Sequence, residues 1–250
     1  MSRRRGASAA EYEAPLFAAW QLTNRCQARC LHCCEESGPE AAWPAELSRE
    51  EALRVAGEIA AVGVPYAAFG GGEPLGVPHS FEVFEVLRAG GVELKLETDG
   101  RWIDEAAADR IVSLGVQCVQ ISVDGATAAS HARVRPGGDF EAATGAISRL
   151  ARRGLRPELV FVPTRLNLDE APAAFDLAAR LGCRAFVTGP LMRLGRAAAA
   201  WETLAPSEED WRRTVEALEA RRASQGAETA LSIYPWDIRR ELEVRLESPQ

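Results

Sequence analysis

The sequence predicts an α/β fold, in which helices cover a parallel β-sheet. Six short apolar or β-branched runs are each followed by a longer stretch, nearly always with helical periodicity. Strands and helices that alternate in this way pair in parallel through right-handed crossovers. A chain of 250 residues, of which 47% are hydrophobic, suits one domain with a sizeable core. An open doubly wound sheet and a complete or partial barrel both fit this pattern.

The predicted elements follow one another in a regular order. The strands are expected at 15–23, 64–70, 92–98, 116–124, 156–164 and 183–189. The helices between and after them are expected at 48–62, 79–89, 104–114, 139–153 and 169–181. The first helix has clear boundary signals, because Ser48 is a candidate N-cap with Glu51 three residues later and Gly63 follows the apolar face. Beyond residue 195 we expect a helix at 206–226, a candidate seventh strand at 229–235 and a last helix at 236–247.

Charge and hydropathy exclude several classes of function. The formal net charge of −7 argues against a broad nucleic-acid footprint. No apolar run reaches the ~20 residues of a membrane span, and no hydrophobic segment follows the basic residues near the N-terminus as a signal peptide would require. We therefore expect a cytoplasmic protein, in which the six cysteines are ligands or core residues rather than disulfide partners.

Unusual residues follow each predicted strand. A cysteine cluster follows the first strand, and the later segments are GGGEP (70–74), ETDG (97–100), SVDG (122–125), PTRLN (163–167) and GPLMRLGR (189–196). Parallel strands bring their C-terminal ends to one edge of the sheet, where α/β proteins carry their sites. The sequence therefore predicts a functional site at that edge.

Four of the six cysteines lie within nine residues. Cys26, Cys30 and Cys33 stand at C-x3-C-x2-C, a spacing at which a compact loop can turn three thiolates toward one centre. A structural zinc site would need His32 or Cys34 as its fourth ligand. Three thiolates and an open position better suit a cubane iron–sulfur cluster. The spacing alone favours the cluster and leaves zinc and a redox thiol pair open.

These motifs together resemble the radical S-adenosylmethionine (radical SAM) superfamily. CQARCLHC is similar to the signature loop of that family, and GGGEP is similar to its second motif. ETDG and SVDGATAASHARVR resemble segments of the branch that matures peptides and cofactors. The resemblance implies a partial (β/α)6 TIM-like barrel over 15–196, open on one side. A disordered basic N-terminus at 1–14 would precede it, and a C-terminal helical extension at 197–250, open to truncation, would pack on it.

The resemblance also implies the cofactors. Cys26, Cys30 and Cys33 would hold three irons of a [4Fe–4S] cluster, and the fourth iron would bind the amine and carboxylate of S-adenosylmethionine. The remaining cofactor-binding residues would be Gly71, Gly72, Glu73, Pro74, Thr98, Ser122, Arg135 and Asn167. The glycines and Glu73 would receive the methionyl ammonium, and Arg135 would pair with the carboxylate. Asn167 and the RLGR segment (193–196) would border the ribose and adenine.

The implied function is that of a maturase. Reductive cleavage of S-adenosylmethionine at the cluster would give a 5′-deoxyadenosyl radical, which abstracts hydrogen from a peptide or a cofactor precursor. A ferredoxin- or flavodoxin-type electron donor would be a partner. No cysteine follows Cys183, so the cysteine-rich extension that holds auxiliary clusters in many members of this branch is not expected. Two alternatives stay open, a zinc-binding structural or interaction protein and a catalytically silent iron–sulfur partner subunit.

Overall fold

The computed structural model describes residues 14–41, 43–225 and 228–234. Within them the strands are β1 (Ala18–Gln21), β2 (Tyr66–Gly70), β3 (Glu93–Thr98), β4 (Cys118–Ser122), β5 (Glu158–Phe161), β6 (Ala185–Thr188) and β7 (Ala230–Ile233). The helices are α1 (Arg49–Val62), α2 (Ser80–Ala89), α3 (Glu105–Ser113), α4 (Ala128–Val134), α5 (Phe140–Arg152), α6 (Ala171–Arg180), α7 (Gly195–Ala199), α8 (Trp201–Leu204) and α9 (Glu208–Gln225). Short 3₁₀ turns occupy Pro74–Gly76 and Leu168–Glu170.

The strands pair in chain order from β1 to β7, and every pair is parallel. A doubly wound sheet reverses its strand order at a switch point. This sheet has no reversal among the described residues, so its right-handed crossovers all place helices on the same face. β1 and β7 do not pair within the described part of the chain, which leaves the barrel open between them. The predicted partial α/β barrel is confirmed, with β7 as a seventh strand.

Local sequence signals fix the helix ends. In α1 the Ser48 side chain accepts a hydrogen bond from Glu51 N, while Glu51 Oε2 accepts one from Ser48 N at 2.9 Å. Gly63 ends the helix with a φ of 83°, a left-handed conformation that glycine adopts at little cost. The predicted capping box and its closing glycine are confirmed.

The core lies between the sheet and the helices. Leu94 and Leu96 of β3 are buried toward the helices, and the rings of Phe69 and Phe84 lie 4.6 Å apart between β2 and α2. Each such side chain contributes about 1.5–3 kcal/mol by leaving water. This packing holds the C-terminal strand ends at fixed positions, where the loops of the site begin.

Some elements differ from the prediction. The helix α4 was not predicted; Thr127 caps it by accepting a hydrogen bond from Ser130 N. The candidate seventh strand at 229–235 is confirmed as β7 (Ala230–Ile233). The basic residues at 2–5 and the predicted helix at 236–247 lie outside the described residues. Among the described helices, none combines the length and the apolar character needed to cross a membrane.

Candidate functional site

A cavity of about 290 Å³ opens at the C-terminal ends of the strands. The predicted site residues that line it are Cys26, Cys30, Cys33, Gly71, Gly72, Glu73, Thr98, Ser122 and Arg135. Two predicted residues, Pro74 and Asn167, are not part of its lining. Pro74 is buried and begins the 3₁₀ turn after the glycine-rich segment. The segments that follow six different strands, or end them, thus meet around one space.

The residues 24–38 form the cysteine loop, which the neighbouring segments hold through its backbone. Arg29 N donates a hydrogen bond to Pro136 O at 2.7 Å, and Leu31 N donates one to Val134 O at 2.9 Å. Both acceptors belong to the end of α4 and the turn after it. The loop therefore depends on contacts more than 100 residues away along the chain.

The glycine-rich segment after β2 approaches the other side of the cysteine loop. Gly72 N donates to Thr23 O at 2.9 Å, and Glu73 N donates to Arg25 O at 2.8 Å. A Cβ atom on Gly72 would lie 2.2 Å from Arg25 O, and Gly71 has a φ of 92°. Side chains at these two positions are excluded by close approach and by backbone conformation.

The Glu73 side chain is buried, and no cationic side chain among the described residues pairs with it. Its Oε1 accepts from Thr98 Oγ1 at 2.7 Å and from Leu75 N at 3.2 Å, and its Oε2 accepts from Asp99 N at 2.8 Å. Burial raises the pKa of Glu73 well above its ordinary value, and the negative charge of Asp99 adds to the effect. No salt bridge to Glu73 occurs within the described residues. The site would therefore gain from a positively charged ligand at this point.

A second buried carboxylate, Asp124, connects β4 to the cysteine loop. Its Oδ2 accepts a hydrogen bond from Arg135 Nε and lies 3.2 Å from His32 Nε2, while its Oδ1 accepts from Val162 N at 2.7 Å. Burial alone would raise the pKa of Asp124, but Arg135, His32 and the hydrogen bond from Val162 N together outweigh burial and hold the pKa well below its usual range. Arg135 Nη1 also lies 3.5 Å from Cys30 Sγ. Arg135 is thus anchored on a carboxylate of this chain while it faces the cavity.

Burial favours the neutral form of Cys26, Cys30 and Cys34 when no metal is bound. Burial raises the pKa of Cys26 to about 12 and that of Cys34 to about 11, and it also raises the pKa of Cys30 although the charge of Arg135 opposes it. Within the described residues, no three His, Cys, Asp or Glu side chains are grouped so that they could hold a single metal ion. A cubane cluster attaches each thiolate to a different iron, so its cysteines need not converge on one point. The geometry gives no support to the zinc alternative.

Asn167 has a structural position rather than a place in the cavity. Its Nδ2 donates to Asp124 O at 3.0 Å and to Val162 O at 3.1 Å. Its Oδ1 accepts from the backbone and the hydroxyl of Thr164, at 2.7 and 2.8 Å. Every polar atom of this fully buried amide is used within the protein. The geometry therefore gives no support to the prediction that Asn167 borders a cofactor, because it shows the residue tying β4 to β5.

The RLGR segment (193–196), which the resemblance places beside the ribose and adenine, lies only partly at the cavity. Arg193 and Leu194 are exposed, whereas Arg196 lines the cavity and donates from Nε to Cys30 O at 2.8 Å. Upstream of it, Leu191 and Met192 also line the cavity. This segment braces the cysteine loop from the side of β6, and no sequence signal indicated that contact.

His131 and Asp124 do not line the cavity, but both contact Arg135, which does. His131 Nδ1 accepts a hydrogen bond from Asp124 N at 3.2 Å. Burial, together with the charge of Arg135, lowers the pKa of His131 to about 4. The spacing of His131 and Arg135, four residues apart, was the available signal, because such residues share one side of a helix.

Comparisons with known proteins agree with this arrangement. Residues 20–178, more than half of the chain, match the model of the Radical SAM superfamily. The chain is 35% identical over 196 residues to the mycofactocin maturase MftC of Mycobacterium ulcerans (strain Agy99), covering 78% of this chain and 52% of that protein. It is 32% identical over 186 residues to an AdoMet-dependent heme synthase of Methanosarcina barkeri (strain Fusaro / DSM 804), covering 73% and 52%. The chain thus spans about half the length of these curated relatives.

Solved structures share the fold. The crystal structure of Streptococcus suis SuiB bound to S-adenosylmethionine aligns with a TM-score of 0.75 at 12% identity, covering 89% of this chain and 51% of that one. SuiB bound to its precursor peptide SuiA aligns with a TM-score of 0.71 at 12% identity, covering 88% and 49%. At such identities the likeness concerns the fold alone.

Proposed function

The chain belongs to the radical SAM superfamily, and we propose that it is a radical SAM enzyme of the maturase type. Cys26, Cys30 and Cys33 would hold a [4Fe–4S] cluster, with S-adenosylmethionine bound at its open iron. Once reduced, such a cluster supplies one electron to the sulfonium of S-adenosylmethionine, which gives methionine and a 5′-deoxyadenosyl radical able to abstract hydrogen from a C–H bond.

One observation carries this proposal. The three cysteines and the carboxylate of Glu73 line the same cavity. Metal binding would displace the thiol protons to solvent, since metal binding and thiol deprotonation are coupled. The buried carboxylate offers a place for a ligand ammonium, which would relieve the cost of ionising it there. Residues present at the site therefore fit both cofactors.

The residues of the chain would bind and orient the cofactors. Glu73 would accept the ammonium of the methionyl group, and the Thr98 hydroxyl holds the Glu73 carboxylate in place at 2.7 Å. Arg135 would direct the free part of its guanidinium to the carboxylate of the ligand, because its Nε is already engaged by Asp124. Ser122 would offer its hydroxyl from the end of β4.

Part of the cavity wall is apolar. Val162 and Leu191 contribute apolar surface opposite the glycine-rich segment, and Ala28 contributes it from the cysteine loop. Apolar walls would exclude water and leave the bound substrate as the accessible hydrogen donor. This is the contribution that a protein makes to cofactor-based radical chemistry.

A precursor peptide is the substrate class that we favour over a cofactor precursor. The structural relative SuiB has been captured with a precursor peptide, and a sequence relative is a maturase. The heme synthase among the relatives keeps a small-molecule precursor as the second candidate. We also propose that a ferredoxin- or flavodoxin-type protein supplies the electron in the cytoplasm, and that 15–196 is the catalytic unit.

The proposal is tested by anaerobic reconstitution of the chain with iron and sulfide. We expect about four irons per chain and an electron paramagnetic resonance signal of the reduced protein that changes when S-adenosylmethionine is added. Production of 5′-deoxyadenosine with dithionite would then report cleavage. A cluster that is indifferent to S-adenosylmethionine would support the silent partner subunit, and zinc without iron would refute the proposal.

Cysteine variants sharpen this test. Cys26→Ala should abolish the cluster that reacts with S-adenosylmethionine. Cys34→Ala is the matched control, because Cys34 lines the same cavity next to Cys33 but lies outside the C-x3-C-x2-C spacing. We expect the control to keep about four irons per chain. Loss of iron in both variants would assign a ligand role to Cys34 and revise the cysteine set.

A further inference from the structure

Arg196 connects the segment after β6 to the cysteine loop through two side-chain hydrogen bonds. Nε donates to Cys30 O at 2.8 Å, and Nη2 donates to Ser37 O at 2.7 Å. The backbone N of Arg196 donates to Cys33 O at 3.0 Å. One residue therefore holds the carbonyls of two predicted cluster ligands and the end of the loop that carries them.

Gly195 allows this contact. Its φ is 50°, and a Cβ atom at this position would lie 2.5 Å from Cys34 O and 2.6 Å from Cys33 O. The backbone of Gly195 therefore approaches the backbone of the cysteine loop at a distance that a side chain at this position would prevent. The two residues Gly195 and Arg196 together make a close-fitting brace on the cysteine loop.

Arg196 also adds positive charge to the surroundings of Cys30. Arg135 Nη1 lies 3.5 Å from Cys30 Sγ, and Arg196 Nε binds the carbonyl of the same residue. Two guanidiniums thus flank Cys30, one at its sulfur and one at its backbone. Both are held in place, since Arg135 is anchored on Asp124 and Arg196 on two carbonyls.

We propose that Arg196 is a positioning residue for the cluster, which fixes the cysteine loop and favours the reduced state of the cluster through its charge. The inference rests on the proposed function, because it concerns the cluster that Cys26, Cys30 and Cys33 would hold. Groups that hydrogen-bond around the ligands of a metal site commonly determine its affinity and its potential. A reduced cluster carries one more negative charge, so fixed positive charge beside Cys30 makes reduction easier.

Two variants separate the effect of the hydrogen-bond geometry of Arg196 from the effect of its charge. Arg196→Met removes both, whereas Arg196→Lys keeps the charge and loses the two-pronged contact. Arg193→Met is the matched control, because Arg193 is exposed three residues earlier and its guanidinium lies over the ring of Trp201, 5.5 Å from the centroid. All variants are reconstituted as full chains, and circular dichroism melting confirms that each is folded.

The first readouts are iron release to a chelator and the midpoint potential of the cluster. Arg196→Met should release iron about 10-fold faster than wild type and show a more negative potential. Arg196→Lys should also release iron faster but keep a potential close to wild type. Arg193→Met should match wild type in both. Wild-type release and potential in Arg196→Met would overturn the proposal.

A third readout needs no metal. Hydrogen–deuterium exchange of the metal-free chain should show faster exchange of the cysteine loop amides in both Arg196 variants than in wild type or the control. Unchanged exchange would overturn the brace even if iron binding changed. Conversely, a wild-type chain that takes up no iron would refute the proposed function, while this exchange experiment would still decide whether Arg196 holds the loop.

Discussion

Asp124 accepts a hydrogen bond from Arg135 inside the protein, and the guanidinium that it anchors lies 3.5 Å from the sulfur of Cys30. The Asp124 side chain is fully buried and that of Arg135 is 11% exposed, so solvent screens this ion pair little. The pair connects the end of β4 to the cysteine loop. Arg135 therefore has two neighbours within the chain before any ligand arrives.

Asp124→Asn should destabilise the protein. The substitution keeps an oxygen for Val162 N but leaves the buried Arg135 guanidinium without its anion. Loss of one partner of a buried pair costs about 3–5 kcal/mol, and urea denaturation of the metal-free chain would measure the loss. Glu58→Gln is the control, because its ion pair with Arg54 is more than 60% exposed and should be worth less than about 1 kcal/mol. Equal small losses in the two variants would contradict the anchoring role of Asp124.

Glu73→Gln should weaken the binding of S-adenosylmethionine without reducing iron uptake. The substitution removes the negative charge that would face the ligand ammonium, a contact worth about 1.5–3 kcal/mol. Affinity measured by calorimetry on the reconstituted protein should fall about 10- to 100-fold. Glu93→Gln, at the exposed start of the next strand, should bind as wild type does. Unchanged affinity in Glu73→Gln would remove Glu73 from the cofactor site.

The titration of His131 should destabilise the metal-free protein as the pH is lowered below about 6.5, an effect opposite in sign to that of Glu73, whose raised pKa favours the folded state at low pH. The unfolded state binds a proton on histidine near pH 6.5, whereas in the folded state the pKa of His131 is lowered to about 4. The unfolded state therefore binds more protons between these values, and stability rises with pH across that interval. The contribution is on the order of 3 kcal/mol over the whole interval and on the order of 2 kcal/mol between about pH 7 and about pH 5.

Urea midpoints measured between about pH 7 and about pH 5 would show this slope. His131→Gln should reduce it, because glutamine takes up no proton. His79→Gln, at the half-buried start of α2, is the matched substitution and should leave the slope in place. A slope that survives in His131→Gln would assign the pH dependence to other groups.

Two glycine substitutions should have opposite effects. Gly72→Ala places a Cβ atom 2.2 Å from Arg25 O, so the cysteine loop must move, at a cost of about 1–3 kcal/mol and with loss of iron uptake. Gly57→Ala, inside α1, meets nothing within 4 Å and should stabilise the protein by about 1 kcal/mol. Thermal melting and iron analysis of both variants would check this. Normal iron uptake in Gly72→Ala would show that the glycine is not needed for the loop.

The regular part of the fold could be predicted from the sequence. All seven strands lie within their predicted ranges, and the long helices begin and end within a few residues of their predicted bounds. These elements have strong local signals, namely apolar periodicity and capping residues. The helix α4 has seven residues and depends on the cap at Thr127 and on burial of His131, so periodicity could not reveal it.

Site residues could be predicted where the sequence spacing of a motif determines its chemistry. They could not be predicted where the role of a residue depends on the direction of its side chain. The residues chosen by the cysteine spacing and from the glycine-rich segment line the cavity, with the exception of Pro74. Asn167 was expected at the right end of the right strand, but its hydrogen bonds turn it away from the cavity. The contact of Arg196 with the cysteine loop was not predicted, because its partners, Cys30 and Ser37, are about 160 residues earlier in the chain.

The long sequence separation between Arg196 and the cysteine loop affects the order in which the chain folds. The cysteine loop leaves the ribosome before β2, while Gly195 and Arg196 emerge only after β6 has been synthesised. Contacts with such long sequence separation form late in folding, because a large chain entropy must first be lost. The loop that carries the thiols is therefore completed after the sheet. Iron delivered during synthesis would encounter an incompletely folded cysteine loop. We therefore expect cluster insertion to follow synthesis of β6.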